Sequence, residues 1–352
     1  MGLGVVCCVA AMLAGCSNSS SHTAYITLSG VNRVAGIRID DSSGKLSGIF
    51  NSPFETGNSP VAVAVHPTAN LVYVADQVDD NIVLFTADSR TGTLTEVSPR
   101  TPAGASPSSM VIDPAGKFLF VSNRLTNDIS VFSIDTGSGA LTQVSGSPFA
   151  AGPAPGGLAM SPSGQYLFAA LGNVAQLAEF TVDSGSGALS PATGSPYTVG
   201  SGPASVTIDP AGKFVAVPNT LSSTVSLFLL GSDGALTTVS GSPYATGSSP
   251  VSAAFDPTST YLYVVNLVGN AISEFSIDST SGVPTELSNS PVSTETNPVF
   301  VKFDSGGSFV LVGNQGSNTL SEYSIDHSSG ELTTANTNLP LGAPPTSIAI
   351  GQ

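Results

Sequence analysis

PSSMVIDPAGKFLFVSNRLTNDISVFSIDTGSGALTQVSGSPFAAGPAP, from Pro107 to Pro155, holds four short runs of strand-forming residues. They are Ser108 to Ile112, Phe118 to Ser122, Ile129 to Ile134 and Leu141 to Ser145, each bounded by Gly, Pro, Asp or Ser. Asp113-Pro114-Ala115-Gly116 has the residue order of a type I turn and recurs as Asp209-Pro210-Ala211-Gly212 and, loosely, as Ser161-Pro162-Ser163-Gly164. The second tight connection is Ser/Gly-rich, as in Gly137-Ser138-Gly139, where glycine takes positive φ at little cost. The stretch therefore predicts a four-stranded antiparallel meander.

The same unit returns every 47 or 48 residues, closing each time on a proline: Pro60, Pro107, Pro155, Pro203, Pro250, Pro298 and Pro345. One such unit cannot bury its apolar faces alone, so regular spacing of this size predicts stacked repeats. Four strands per repeat match a propeller blade. Six complete units run from Val61 to Pro345. The stretch from Thr23 to Pro60 lacks a first strand, and Thr346 to Ile350 is a first strand with nothing after it. Joined, the two ends make a seventh blade and hide two open sheet edges. The expected fold is all-β: a seven-bladed propeller over residues 23–352, closed by its C-terminal strand.

The first residues are of another kind. From Gly2 to Gly15 the chain is small and apolar, too short for the roughly 20 residues that span a bilayer as a helix. Leu13-Ala14-Gly15-Cys16 resembles the lipobox of bacterial lipoproteins, which implies a signal peptide over 1–15, lipid on Cys16 and a flexible tether over 16–22. No Lys or Arg precedes the apolar run, a departure from that pattern. Ser17 after the cysteine resembles outer-membrane sorting. Cys7 and Cys8 would leave with the signal, so the mature chain would keep no free thiol, and disulfide, thiol-redox and zinc-ribbon chemistry drop out.

A formal charge of −15 with nine Lys and Arg in all makes nucleic acid an unsuitable partner. The three histidines lie apart: His22 in the expected tether, His66 in place of a turn aspartate, and His327 in a Ser/Gly turn. No metal site or cofactor is expected from them. Loops after second strands and links between blades should open on one face. That face would carry Arg33, Glu55, Asp76, Arg100, Arg124 and Asp128, a candidate polar recognition patch whose plainer reading is solvated loop charge. Asn123, Asn219, Asn266 and Asn314 close second strands and are expected to satisfy turn backbone. Lys302 is the odd residue, because its equivalents are Ala64, Val111, Ala159, Thr207, Ala254 and Ala349; it must reach the channel or find a carboxylate.

Phe118-Leu119-Phe120-Val121-Ser122-Asn123, Tyr261-Leu262-Tyr263-Val264-Val265-Asn266 and Val310-Leu311-Val312-Gly313-Asn314 resemble the Tyr-Val-Thr-Asn repeat. With the recurring Ser-Ile-Asp, Ser-Gly and Leu-Thr steps, they make residues 23–352 similar to the lactonase-type seven-bladed propellers, which include bacterial 6-phosphogluconolactonase. The resemblance implies a lactone hydrolase acting on a sugar lactone. The family's site motifs do not carry over. Where its Gly-Pro-Arg-His step would stand the chain reads Ser249-Pro250-Val251-Ser252, and Val-Asn-Glu becomes Val265-Asn266-Leu267. Val-Pro-Asp-Leu-Gly becomes Val217-Pro218-Asn219-Thr220-Leu221. Two expectations follow: a lipid-anchored extracytoplasmic binding module for a small, sugar-derived ligand or an envelope protein, or a divergent lactonase with a relocated site.

Overall fold

The structure, a computed structural model, describes residues 20–351. The expected signal peptide and Cys16 lie outside them. Seven antiparallel sheets follow one another along the chain. In blade three the strands are Pro107–Ile112, Phe118–Asn123, Asp128–Ile134 and a fourth position split into Leu141–Gln143 and Phe149–Ala150. The fourth position is split in six of the seven blades; in blade two Leu94–Pro102 runs through. In five of those six blades the break falls at a Ser-Pro step, where proline offers no N–H to a ladder; blade seven breaks over 335–338 without one, and blade two runs through its Ser98-Pro99 step. The serine hydroxyl instead accepts the N–H of a third-strand residue: Val131 to Ser147 at 2.8 Å, Gly36 to Ser52 at 2.9 Å, Leu227 to Ser242 at 2.9 Å. This recurring Ser-Pro hook was not recognised from sequence.

Blade one is built from both ends of the chain. Pro345–Ile350 pairs antiparallel with Ser21–Leu28 in the register Ala24 to Ile350, Tyr25 to Ala349 and Ile26 to Ile348. Thr346 Oγ1 lies 2.7 Å from Thr27 Oγ1 and donates to the Pro60 carbonyl at 2.9 Å, so the closing strand is tied to blade two as well. The expected tether over 16–22 is too long by two residues: the first strand already begins at Ser21. His22 alternates into the sheet, 4% exposed, with Nδ1 2.6 Å from Asp41 Oδ1.

The apolar core is a ring. Seven buried clusters occur among the described residues, one between each pair of neighbouring blades: Leu84 with Met110 and Leu119 between blades two and three, Ile26 with Leu311 and Leu320 between seven and one. Each blade is therefore covered on both faces, and second strands such as Phe118–Asn123 are buried at every position. Burial without alternation is what two covered faces require. One second-strand slot also bridges blades. Tyr25 and Tyr73 donate their hydroxyls to Gly92 and Gly139 carbonyls of the next blade, both at 2.8 Å, and Tyr263 does the same to Gly330. Phe120 and Phe168 fill that slot without a bond to give.

First strands line the central channel and run in one direction, so the two mouths differ. The links entering first strands and the hairpins between second and third strands form one face, here the linker face. The Asp-Pro turns, the Ser/Gly turns and the start of Ser21–Leu28 form the opposite, turn face.

Candidate functional site

On the linker face the selected charges find local partners. Arg33 donates to Glu55 Oε1 at 2.9 Å and to the Pro53 carbonyl, both in blade one. Arg100 makes a two-pronged contact with Glu96, four residues earlier on the same strand, at 2.8 and 3.2 Å. That hydrogen bond holds the Arg100 pKa above its ordinary value, helped by Asp76 and Asp79. Arg124 is exposed, with only its backbone N–H bonded, to the Ser106 carbonyl; Asp128 accepts from Asn123 Nδ2 at 2.7 Å. Among the described residues the ion pairs of Arg33 and Arg100 each stay within their own blade, and none brings two of the three arginines into one cluster.

Asp76 belongs to the scaffold. It is fully buried and accepts the Thr56 hydroxyl at 3.0 Å and the Gly57 N–H at 2.9 Å. Asn123 stands at the same strand end in blade three and accepts the Gly104 N–H at 3.1 Å, while Nδ2 donates to Ser130. Asn219, Asn266 and Asn314 donate alike to Ser226, Ser273 and Ser321. The incoming link passes so close that a Cβ on Gly57 would lie 2.4 Å from Asp76, and one on Gly104 2.4 Å from Asn123. Burial raises the Asp76 pKa to about 6, against the Thr56 and Gly57 hydrogen bonds that favour the charged form.

His66 does the work of the turn aspartates. Its Nδ1 accepts the N–H groups of Thr68 and Ala69 at 3.2 and 2.9 Å, and Nε2–H donates to the Gly116 carbonyl at 2.9 Å. Asp113 and Asp209 cap their own turns through backbone N–H groups in the same way. No three His, Cys, Asp or Glu side chains among the described residues come close enough to hold a metal ion.

Lys302 is set apart from all of these. It is fifth in Pro298–Phe303, so it stands towards the turn-face mouth, where two adjoining chambers of about 420 and 470 Å³ share Leu158, Thr207, Ile208, Lys302 and Ile348 as walls. The last residues of the seven first strands ring this mouth: Val65, Ile112, Met160, Ile208, Phe255, Phe303 and Ile350. The other charged lining residue is Asp113, whose oxygens already hold the N–H groups of Ala115, Lys117 and Phe118. Lys302 meets the water of the channel, yet protein encircles it, and this enclosure lowers its pKa below that of an ordinary lysine. It has no ion-pair or hydrogen-bond partner among the described residues.

Two features escaped the sequence reading. Val78, Leu125, Leu221 and Val268, at equivalent positions in the linker-face hairpins of blades two, three, five and six, stand 62 to 79% exposed. Glu179, Glu274 and Glu322 are buried at one third-strand position in blades four, six and seven, and burial raises each pKa to about 7. An aligned repeat would have shown both as columns.

The family model described as lactonase, seven-bladed β-propeller, matches residues 17–106, 98–200, 190–303 and 253–348. No curated protein matches significantly in sequence. Solved structures do match in shape. A 6-phosphogluconolactonase candidate from Bacteroides fragilis is 20% identical with a TM-score of 0.83, over 96% of this chain and 99% of that one. The periplasmic gluconolactonase of Pseudomonas aeruginosa is 20% identical with a TM-score of 0.79, over 95% and 99%. A Desulfotomaculum acetoxidans protein of unknown function is 15% identical with a TM-score of 0.74, over 94% and 99%. At these identities the likeness is one of fold.

Proposed function

We propose that this chain, which belongs to the lactonase family of seven-bladed propellers, is a binding module that holds its ligand without turning it over. The observation that carries the reading is the state of the two family motif positions that could have supplied a carboxylate. Asn219 is fully buried and bonded to Thr224 and Ser226, and Leu267 follows the equally buried Asn266. Lactone opening needs a base for water and a donor for the developing oxyanion. At the linker-face mouth the arginines are paired within their own blades or point to solvent, and Asp76 is committed to the Gly57 link. The family match itself favours a second reading, a divergent lactonase.

In the binding reading the protein is a lipoprotein of the bacterial cell envelope, anchored through Cys16 on the outer membrane. Four residues separate Cys16 from Ser21, whose strand begins on the turn face. Such an anchor would turn that face towards the bilayer and present the linker face, with Val78, Leu125, Leu221 and Val268, outward to an envelope protein. The test is hydrolysis of glucono-δ-lactone and 6-phosphogluconolactone by the purified protein. Rates equal to the buffer background support binding alone; saturable hydrolysis lost on Lys302→Met or Arg124→Ala would install the lactonase reading instead.

A further inference from the structure

Each of the seven linker-face hairpins has four residues between its second and third strands, so the tips can be compared position by position. The second residue of every tip is exposed. Counted outwards from Asn173 in blade four, this position holds leucine on either side (Leu125 and Leu221), then valine (Val78 and Val268), then glycine (Gly30 and Gly316). The ring of tips therefore reads the same in both directions. A patch that meets its own copy across a two-fold axis must be its own complement, whereas a different partner sets no such condition. Resting on the binding reading, whose protein partner it identifies, we infer that the linker face pairs face to face with a second copy of this chain, the two-fold axis passing through blade four and the gap between blades seven and one.

In that pairing blades three, two and one meet blades five, six and seven of the second copy. Leu125 comes against Leu221 of the second copy and Val78 against its Val268, so the exposed aliphatic side chains leave water together. Charge is divided to suit. The ionisable residues of the hairpin tips are Asp79, Asp80 and Arg124, all on blades two and three, and the tips they face on blades six and five hold none. The two aspartates are already held within their own molecule: Asp79 accepts the Asn58 N–H and Asp80 the Ser106 N–H, both at 2.7 Å. Beyond the tips, Glu295 on the link into blade seven comes opposite the balanced pair of Arg33 and Glu55. The acidity that would drive two copies apart lies elsewhere. Asp135, Asp183, Asp233, Asp278 and Asp326 all stand exposed in turn-face turns, on the far side of each copy.

The axis also suits an anchored chain. It leaves the pair between blades seven and one, so blade one of each copy lies at the same end, and two related copies held in one bilayer need an axis normal to it. Ser21 stands in a second strand, two strand spacings or about 10 Å inside the rim. The five steps of chain from Cys16 to Ser21 reach up to about 17 Å. Pairing thus tips each copy from the face-down pose of a lone anchored molecule onto its rim.

The test is sedimentation velocity of the full chain in density-matched detergent, from about 1 to 100 µM. A dimer is expected within that range. Leu221→Asp should weaken it at least about tenfold, and Leu125→Lys likewise. Combined in one chain, these two substitutions should recover much of the loss, because the axis sets each introduced cation against the introduced anion of the other copy. Leu125→Lys combined with Val268→Asp brings no opposite charges together and should recover nothing. All three side chains are exposed, so the substitutions leave the fold in place. A monomer at every concentration, a dimer indifferent to Leu221→Asp, or a first double variant that associates no more tightly than the second would each overturn the inference. A monomer with lactone rates at the buffer background would remove the second copy and leave the binding reading with another protein partner; saturable hydrolysis would remove the binding reading itself, whatever the sedimentation shows.

Discussion

Blades four, six and seven bury Glu179, Glu274 and Glu322 at the third-strand position where blades two, three and five bury Leu84, Val131 and Leu227. The backbone is the same in both groups; only the chemistry differs. Among the described residues neither oxygen of Glu179 has a hydrogen-bond partner. The Tyr197 hydroxyl is nearby but donates to the Thr193 carbonyl at 3.3 Å and accepts the Leu236 N–H at 3.4 Å. Glu274 accepts the Leu332 N–H of the next blade at 3.0 Å, and Glu322 accepts Asn336 Nδ2 at 2.6 Å. A repeat thus fixes the shape of a slot and leaves open whether the slot is apolar or an unbalanced acid.

The largest effect expected from this contrast is on stability against pH. Burial raises each glutamate from 4.5 to about 7. A folded pKa above the unfolded one means the folded state holds its proton longer. The favourable contribution is complete below pH 4.5 and lost as pH rises through about 7, roughly 3 kcal/mol per glutamate by linkage. Asp76, raised to about 6, adds a smaller loss that begins and ends lower. Urea unfolding of the wild type should therefore show stability falling by several kcal/mol from pH 5 to pH 8. The triple variant Glu179→Gln, Glu274→Gln, Glu322→Gln should flatten that fall. A wild type equally stable at both pH values would break the contrast between the two groups of blades.

Single substitutions sharpen it. Glu179→Leu copies the residue of blades two and five and removes an acid that holds nothing, so it should stabilise at pH 8 by about 3 kcal/mol. Glu274→Leu also removes the acceptor of the Leu332 N–H, which offsets about 1 to 3 kcal/mol of the same gain. The urea midpoints at pH 8 should accordingly rank Glu179→Leu above Glu274→Leu. The reverse order would mean that the Leu332 contact contributes nothing.

What could be read from residues alone follows the same division. Pro107 to Pro155 and its recurrences carried the strands, the turns and the clasp of Ile348 and Ile350 beside Tyr25, because spacing and turn chemistry are local. Lys302 was legible because six first strands offered alanine, valine or threonine for comparison. The glutamates were not, since alternation separates an inner from an outer face only when one face meets water, and third strands such as Gln176–Val182 are covered on both. Asp76 was taken for a surface charge for a related reason: its burial is imposed by Gly57 passing overhead, a contact 19 residues away in sequence. Of the arginines expected in linker-face loops only Arg124 lies in one; Arg33 opens a third strand and Arg100 sits within a fourth, and their pairing with Glu55 and Glu96 depends on side-chain reach that spacing does not encode.

The smallest effect concerns the second-strand slot opposite the glutamate position, where Tyr25, Tyr73 and Tyr263 alternate with Phe120 and Phe168. Phenylalanine already fits this slot in two blades, so Tyr73→Phe leaves the packing between blades two and three in place and deletes only the hydroxyl. That hydroxyl is buried and donates to the Gly139 carbonyl at 2.8 Å; burial also raises its pKa, with the Asp135 charge adding to the shift, so it stays a donor across the working range. Its loss strands one carbonyl in a turn whose glycine sits at φ +76°. The expected destabilisation is about 1 kcal/mol, within the range for a single net hydrogen bond, and independent of pH between 5 and 8. A pH-dependent loss would show that Tyr73 is coupled to an ionising neighbour, and the tyrosine blades would then differ from the phenylalanine blades in charge balance as well as in bonding.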